Sequence, residues 1–314
     1  MSESSPICPI SSDFLPPHMR KHVEAASPVA LRMMAAKGLV PLSPSDLVGA
    51  LFILGYDTEA SIREAAAKTL AGLPDRIATT AFRDEELDAP VLALCLNVHS
   101  HNDAYVELLI LNPTTPDDAI AAISPGCSKK NAELLAQNQL RLLRTDDIIR
   151  GLARNPMAQG ALLDGVCDFA VRSGLNLPDV PEMLAARIRL FGPSSPQTIQ
   201  ATHDAPTAEE VINEFNVAAE NAAAPPLEEG KKLTLSQRVM KMNVAEKIKL
   251  ATKGNKEVRG ILIRDSNKLV AVAVIRSPRI TDGEVLTQAQ NKVALDDVLR
   301  VIYSNREWLR QYAI

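Results

Sequence analysis

Along this chain apolar positions recur mostly at helical spacing, and only one stretch alternates in the manner of a strand. Leu47, Val48, Leu51, Phe52 and Leu54 form one apolar series. Ala119, Ile120 and Ile123 form another, and Val211, Ile212, Phe215 and Ala219 a third. Each follows a start signal. Ser43-Pro44-Ser45-Asp46 sets a capping serine before a proline at the first helical position, with an acid in the first turn to meet the positive end of the helix dipole. Thr115-Pro116-Asp117-Asp118 repeats the device. Asn243 and Thr281 each precede a Glu by three residues (Glu246, Glu284), the capping-box spacing, and Thr207-Ala208-Glu209-Glu210 can cap a short amphipathic helix. Gly55 predicts the end of the helix that opens at Pro44. The alternating stretch is KLVAVAVI, 268–275. The Ser-Pro that follows it, a turn used elsewhere in the chain, favours a buried helix.

Composition supports that choice. Hydrophobic residues make up 46% of the 314 but aromatics only 4%, so the core must be Ala, Leu, Val and Ile. Ala and the straight-chain residues lose little rotamer freedom in a helix, whereas sandwiches and barrels carry more aromatics and Thr on their strands. The expected fold is all-α.

Residues 57–70 add a pattern of their own: Asp57, then Ile62-Arg63, then the small Ala65, Ala66 and Ala67, then Leu70. This order resembles the second helix of a HEAT repeat, with 47–54 as its partner helix. The resemblance implies an irregular α-solenoid of stacked helix pairs. Internal similarity points the same way. Leu111-Asn112-Pro113 recurs as Arg154-Asn155-Pro156, 43 residues on, and in degenerate form as Arg276-Ser277-Pro278. Asn138-Gln139-Leu140-Arg141-Leu142-Leu143 is echoed by Asn305-Arg306-Glu307-Trp308-Leu309. On this reading each Asn-Pro marks a turn between units that bury a face only by stacking on their neighbours. The expected organisation is a disordered lead-in at 1–26, broken by Pro6, Pro9, Pro16 and Pro17, then an N-terminal helical repeat domain at 27–191. An acidic, Pro-containing linker with one short helix follows at 192–230, and a basic C-terminal helical repeat domain at 231–314.

Charge separates the last two parts. No Lys or Arg occurs between Leu190 and Gly230, while Asp204, Glu209, Glu210, Glu214, Glu220, Glu228 and Glu229 are acidic. Residues 231–280 then carry a net +10 against −14 for the rest, so the formal −4 conceals two opposite surfaces. The candidate binding face is Lys231, Lys232, Arg238, Lys241, Lys247, Lys249, Lys253, Lys256, Arg259, Arg264, Lys268, Arg276 and Arg279. Such cations neutralise phosphates, but the aromatics that stack bases lie outside the run. The expected function is a non-enzymatic scaffold that binds another protein, an acidic one suiting the basic run. DNA binding through the basic repeats is the alternative. Trp308 and Tyr312 are candidate docking residues. The last helix ends in apolar residues with no polar cap, so it self-associates, docks onto another chain, or the natural protein continues past Ile314.

Catalytic chemistry finds little support. Cys95, His99, His101 and Asp103 in CLNVHSHND have the residue types of a metal site without its spacing, and read as a buried thiol at a helix end beside a polar loop. No GxxxxGK[ST], GxGxxG or GxSxG occurs. Asp117-Asp118, Asp146-Asp147 and Asp296-Asp297 open helices, where acids complement the dipole. No catalytic, cofactor or metal-binding residue is assigned, and no enzyme is expected. Four scattered cysteines without a CxxC indicate a reducing compartment. With no signal-like start and no run of about 18 apolar residues, a cytoplasmic protein away from membranes is expected.

Overall fold

A computed structural model describes residues 8–192, 206–213 and 235–310. Among these residues there is helix and no strand. The chain divides into two compact units, Met1–Gln137 with Asp147–Gln159, and Asn138–Asp146 with Gly160–Ile314.

The first unit contains α1 (Val29–Ala36), α2 (Pro44–Leu54), α3 (Ala60–Ala71), α4 (Asp75–Ala81), α5 (Ala89–Val98), α6 (Asp103–Leu111), α7 (Asp117–Ile123), α8 (Lys129–Gln137) and most of α10 (Asp146–Arg154). Each helix packs on the one two places along. α1, α3, α5 and α7 make one row, and α2, α4, α6 and α8 a second. The helices form where caps and apolar spacing agree. Ser43 Oγ accepts the Asp46 N–H at 3.2 Å, Pro44 takes the first helical position, and Gly55 ends α2. In α3, Ile62, Ala66 and Leu70, four residues apart, are 0, 1 and 3% exposed against α1 and α2. Thr115 departs from its expected role. It is buried and α7 begins after Pro116 without a side-chain cap, although Asp117 and Asp118 do sit in the first turn.

The Asn-Pro pairs turn out to be staples. Asn112 follows α6 and donates through Nδ2 to the Phe82 and Asp84 carbonyls at 3.0 and 2.8 Å, while its Oδ1 accepts the Thr114 N–H. Asn155 follows α10 and donates to the Ser124 and Cys127 carbonyls at 2.8 and 2.9 Å, with its Oδ1 on the Met157 N–H. Asp57 makes the same local turn to Glu59 and pairs with the buried Arg32. These loops are therefore tied to partners 25 to 31 residues back, a helix side chain for Asp57 and turn carbonyls for Asn112 and Asn155. The 43-residue spacing spans four helices, α7 to α10, including α9 (Gln139–Arg144).

Residues 8–26, expected to be a disordered lead-in, are packed instead. Leu15 and Val23 are buried, Phe14 lies over Gly49 where a Cβ would meet its ring at 2.7 Å, and Arg20–His22 form a 3-10 turn. Phe14, Leu15 and Val23 supply the apolar anchors between the prolines.

The second unit contains α9, α11 (Ala161–Arg172), α12 (Pro181–Phe191), α13 (Leu235–Lys241), α14 (Val244–Lys253), α15 (Lys256–Leu262), α16 (Lys268–Ile275), α17 (Asp282–Ala289), α18 (Asp296–Ser304) and the short α19 (Arg306–Leu309). α9, α14, α16 and α18 pack successively, with α13 against α15 beside them, and α11 packs on α12. The alternating KLVAVAVI stretch is helix α16, flanked by α14, α15 and α18, with Val270, Ala271, Ala273, Val274 and Ile275 buried. Burial on several sides repays the small helical cost of β-branched residues. Asn138 and Asn305 cap short helices alike, accepting the N–H of Arg141 and of Trp308. The unit boundary does not fall at the expected 192–230. The N–H of Ala245 donates to Ser173 O, and Asn243 Nδ2 to Gly174 O, which ties 160–192 to the C-terminal helices. Of the acidic tract, helical residues 208–213 are described, with Thr207 and Glu210 bonded reciprocally. Phe215 and Ala219 lie outside the described residues, and so do Lys231, Lys232 and Tyr312.

Candidate interaction surfaces

The basic run enters the second unit as one stretch of sequence but does not form one surface. Three of its cations are consumed internally. Arg259, itself buried, forms a two-pronged pair with Glu284, Nε to Oε1 at 3.0 Å and Nη2 to Oε2 at 2.9 Å, and Nη1 holds the Gly254 carbonyl. Burial works to raise the Glu284 carboxyl. The Arg259 guanidinium with the N–H and hydroxyl of Thr281 overcomes it and holds the group below the ordinary carboxylate range. Lys247 pairs with Asp265 at 2.7 Å, and Lys249 with Asp146 at 3.0 Å. These pairs join helices of the stack.

The remaining described cations divide between two edges. Ser277 Oγ reaches the Thr252 carbonyl and Arg279 Nη1 the Lys253 carbonyl at 2.8 Å, which puts the turn after α14 beside the turn after α16. Exposed Lys253, Lys256, Arg276 and Arg279 lie on this edge, together with exposed Glu257 and Asp282. The Lys247–Asp265 pair puts the start of α14 beside the turn after α15. Exposed Lys241, Arg264 and Lys268 lie there, with half-buried Arg238 one turn before Lys241. A ten-residue helix is about 15 Å long, which sets the separation of the edges. Helices joined by two to six residues run back and forth, so consecutive cations in sequence alternate between ends.

Trp308, an expected docking residue, is half-buried, with part of its surface packed on the core cluster of Ala271, Ile275, Val285, Val298 and Ile302. Tyr303, 73% exposed, is the outward aromatic nearby.

One surface has no counterpart in the sequence expectations. On α12, Leu184, Ile188 and Phe191 are 59, 45 and 61% exposed, while Met183 and Ala186 face inward. Spacing of four and three residues puts the exposed three on a single stripe. Arg189 beside it bonds Asp168 at 2.6 Å on α11. The stripe is legible as helical periodicity, but periodicity cannot tell a covered stripe from an open one.

The CLNVHSHND residues do not converge. Cys95 is fully buried in α5, and burial pushes its thiol up to about 12. His99 is buried between Phe82 and Tyr105, ring centroids 5.5 and 5.2 Å away. Burial lowers its pKa, opposed by a hydrogen bond with the Leu70 carbonyl, and Nε2 has no hydrogen-bond partner. The Tyr105 hydroxyl donates to Asp75; that bond, with burial and the Asp75 charge, pushes the phenol up to about 12. His101 and Asp103 are exposed. Among the described residues no three metal-ligating side chains gather, and no helix is long and apolar enough to cross a membrane.

Comparison with models of known families, with curated proteins and with solved structures returns no match.

Proposed function

We propose that the protein is a non-enzymatic scaffold that binds another protein, each unit an irregular α-solenoid of the HEAT-like kind. The rows α1, α3, α5, α7 and α2, α4, α6, α8 of the first unit, and α14, α16, α18 of the second, in which helices pack on their second neighbours, support the solenoid reading. The observation that carries the binding function is the open stripe of α12. Three large apolar side chains in line, each 45% exposed or more, form the kind of patch that marks an interaction site. Scattered exposed apolar residues would mean nothing. A photo-crosslinking residue at position 191, introduced in cells, should capture protein. Leu184→Glu with Ile188→Glu should abolish capture while the melting curve stays close to the parent's. Capture unaffected by the two acids sinks the reading.

Nucleic-acid binding is the second reading, favoured by the cations on the two edges of the second unit. Glu257 and Asp282 interrupt one edge, and a continuous phosphate backbone would meet them. A labelled duplex at two salt concentrations decides. Binding that falls steeply with salt, and that Lys253→Ala with Lys256→Ala weakens, transfers the function to nucleic acid.

A further inference from the structure

Residues 206–213 lie on the second unit beside α14, and they are held there in an unusual way. Glu246 stands three residues after its cap Asn243, whose Oδ1 accepts the Glu246 N–H at 2.8 Å. A capping box would return the Glu246 carboxylate to the Asn243 N–H. The carboxylate instead accepts the N–H of Ala208 at 2.8 Å, with Lys249 Nζ 3.7 Å from its other oxygen. An acid of α14 thus caps the start of a second helical segment. That segment buries Ala208 and Val211, 2 and 1% exposed, and half-buries Ile212, while Glu209, Glu210 and Asn213 face outward.

We propose that residues 206–213 are a resident stand-in for a partner, and that their seat beside Glu246 is a docking site for an acidic amphipathic helix of another protein. The inference rests on the protein-scaffold reading and names the partner's chemistry. Three observations carry it. Among the described residues the hold is small: two buried side chains, one half-buried and one charge-assisted hydrogen bond. Such a contact is populated because tethering raises the local concentration of the segment, and a partner helix with more apolar surface outcompetes it. The seat supplies what any arriving helix lacks, an acceptor for its unsatisfied first N–H groups. Charge selects the helix: the resident segment presents Glu209 and Glu210 and no cation, while the edge at the start of α14 carries exposed Lys241, Arg264 and Lys268. A phosphate backbone fits poorly against the Glu246 carboxylate, so a polypeptide is the occupant.

The probe is a fluorescent peptide of residues 203–219, titrated by anisotropy into the full chain and into its Val211→Arg variant. The charge at position 211 evicts the resident segment. The variant should then bind the peptide about tenfold more tightly or better than the parent, the parent's seat being filled by its own tethered copy. Adding Glu246→Gln to the variant should weaken the peptide severalfold, and a peptide with Lys at 209 and 210 should bind less well than the native one. Equal affinity of parent and variant overturns the proposal. So does a variant that loses helix signal, because the segment is then part of the core and not an exchangeable occupant. The peptide reads the seat alone, whereas crosslinking at position 191 reads the scaffold, so the two can fail separately.

Discussion

A single side chain decides more here when it ties two turns together than when it fills space. Asn155, 1% exposed, serves three backbone groups at once, two carbonyls through Nδ2 and one N–H through Oδ1. Asn155→Ala strands those carbonyls in the interior, and an unsatisfied buried group costs about 1–3 kcal/mol. The urea midpoint should report a loss of roughly 2–4 kcal/mol. Asn155→Asp should be worse than Ala, because a carboxylate keeps the turn's acceptor but faces two carbonyl oxygens. Ser277→Ala, which loses two long bonds of 3.4 Å, one to the Thr252 carbonyl and one from the Arg279 N–H, should cost about 1 kcal/mol, less than Asn155→Ala. If all three variants melt alike, the staple account fails. The asparagines were visible as a repeated dipeptide, and their position after a helix could be read from the chain. Their partners could not, because carbonyls 28 to 31 residues back have no sequence signature.

At the scale of the element, close approach matters as much as apolar stripes. Gly151 on α10 lies against the residue that follows α7. A Cβ there would stand 1.7 Å from Ser124 Oγ and 2.9 Å from its Cβ. Gly151→Ala should therefore destabilise by about 1–3 kcal/mol despite the better helix propensity of Ala. Ser124→Gly in the same chain should recover part of the loss, a coupling that a double-mutant cycle reads directly. Additive effects would mean that the two helices do not meet as described. In α3, Ile62→Asp buries a charge on a fully covered position and should cost several kcal/mol. A melting point within a degree or two of the parent would refute the packing of α3 on α1 and α2. The stripe of α3 and the caps at Ser43 and Asn243 were legible because they depend on residues within one or two turns. The redirected carboxylate of Glu246 was not, since its partner Ala208 is 38 residues away.

For the whole molecule, burial of titratable groups sets a pH window. His99 has its folded pKa lowered by burial, so it favours the unfolded chain as acid is added. Its contribution is present above the unfolded value near 6.5 and is lost as pH falls toward the folded one. Cys95 and Cys167 are shifted the other way, each pushed up to about 12, chiefly by burial. Their contribution is present below the unfolded value near 8.5 and fades as pH rises toward 12, at about 1.4 kcal/mol per pH unit for each thiol. Chemical denaturation across pH should give a plateau between about 6.5 and 8.5. His99→Gln should flatten the limb just below it and Cys95→Ala the limb above, and unchanged limbs would contradict the burial of these groups. What the amino-acid order determined by itself was local. Ala- and Leu-rich periodicity, capping residues and scarce aromatics require helices, and even KLVAVAVI obeys once its surroundings are apolar. The tertiary structure decided everything that depends on who the neighbours are. It spread a contiguous basic run over two edges about 15 Å apart, spent Lys247, Lys249 and Arg259 on internal pairs, laid one side of Trp308 against a core cluster and left the α12 stripe open. Local preferences act over a few residues of chain, whereas burial and pairing act through space, and helices that double back bring distant residues together while parting adjacent ones.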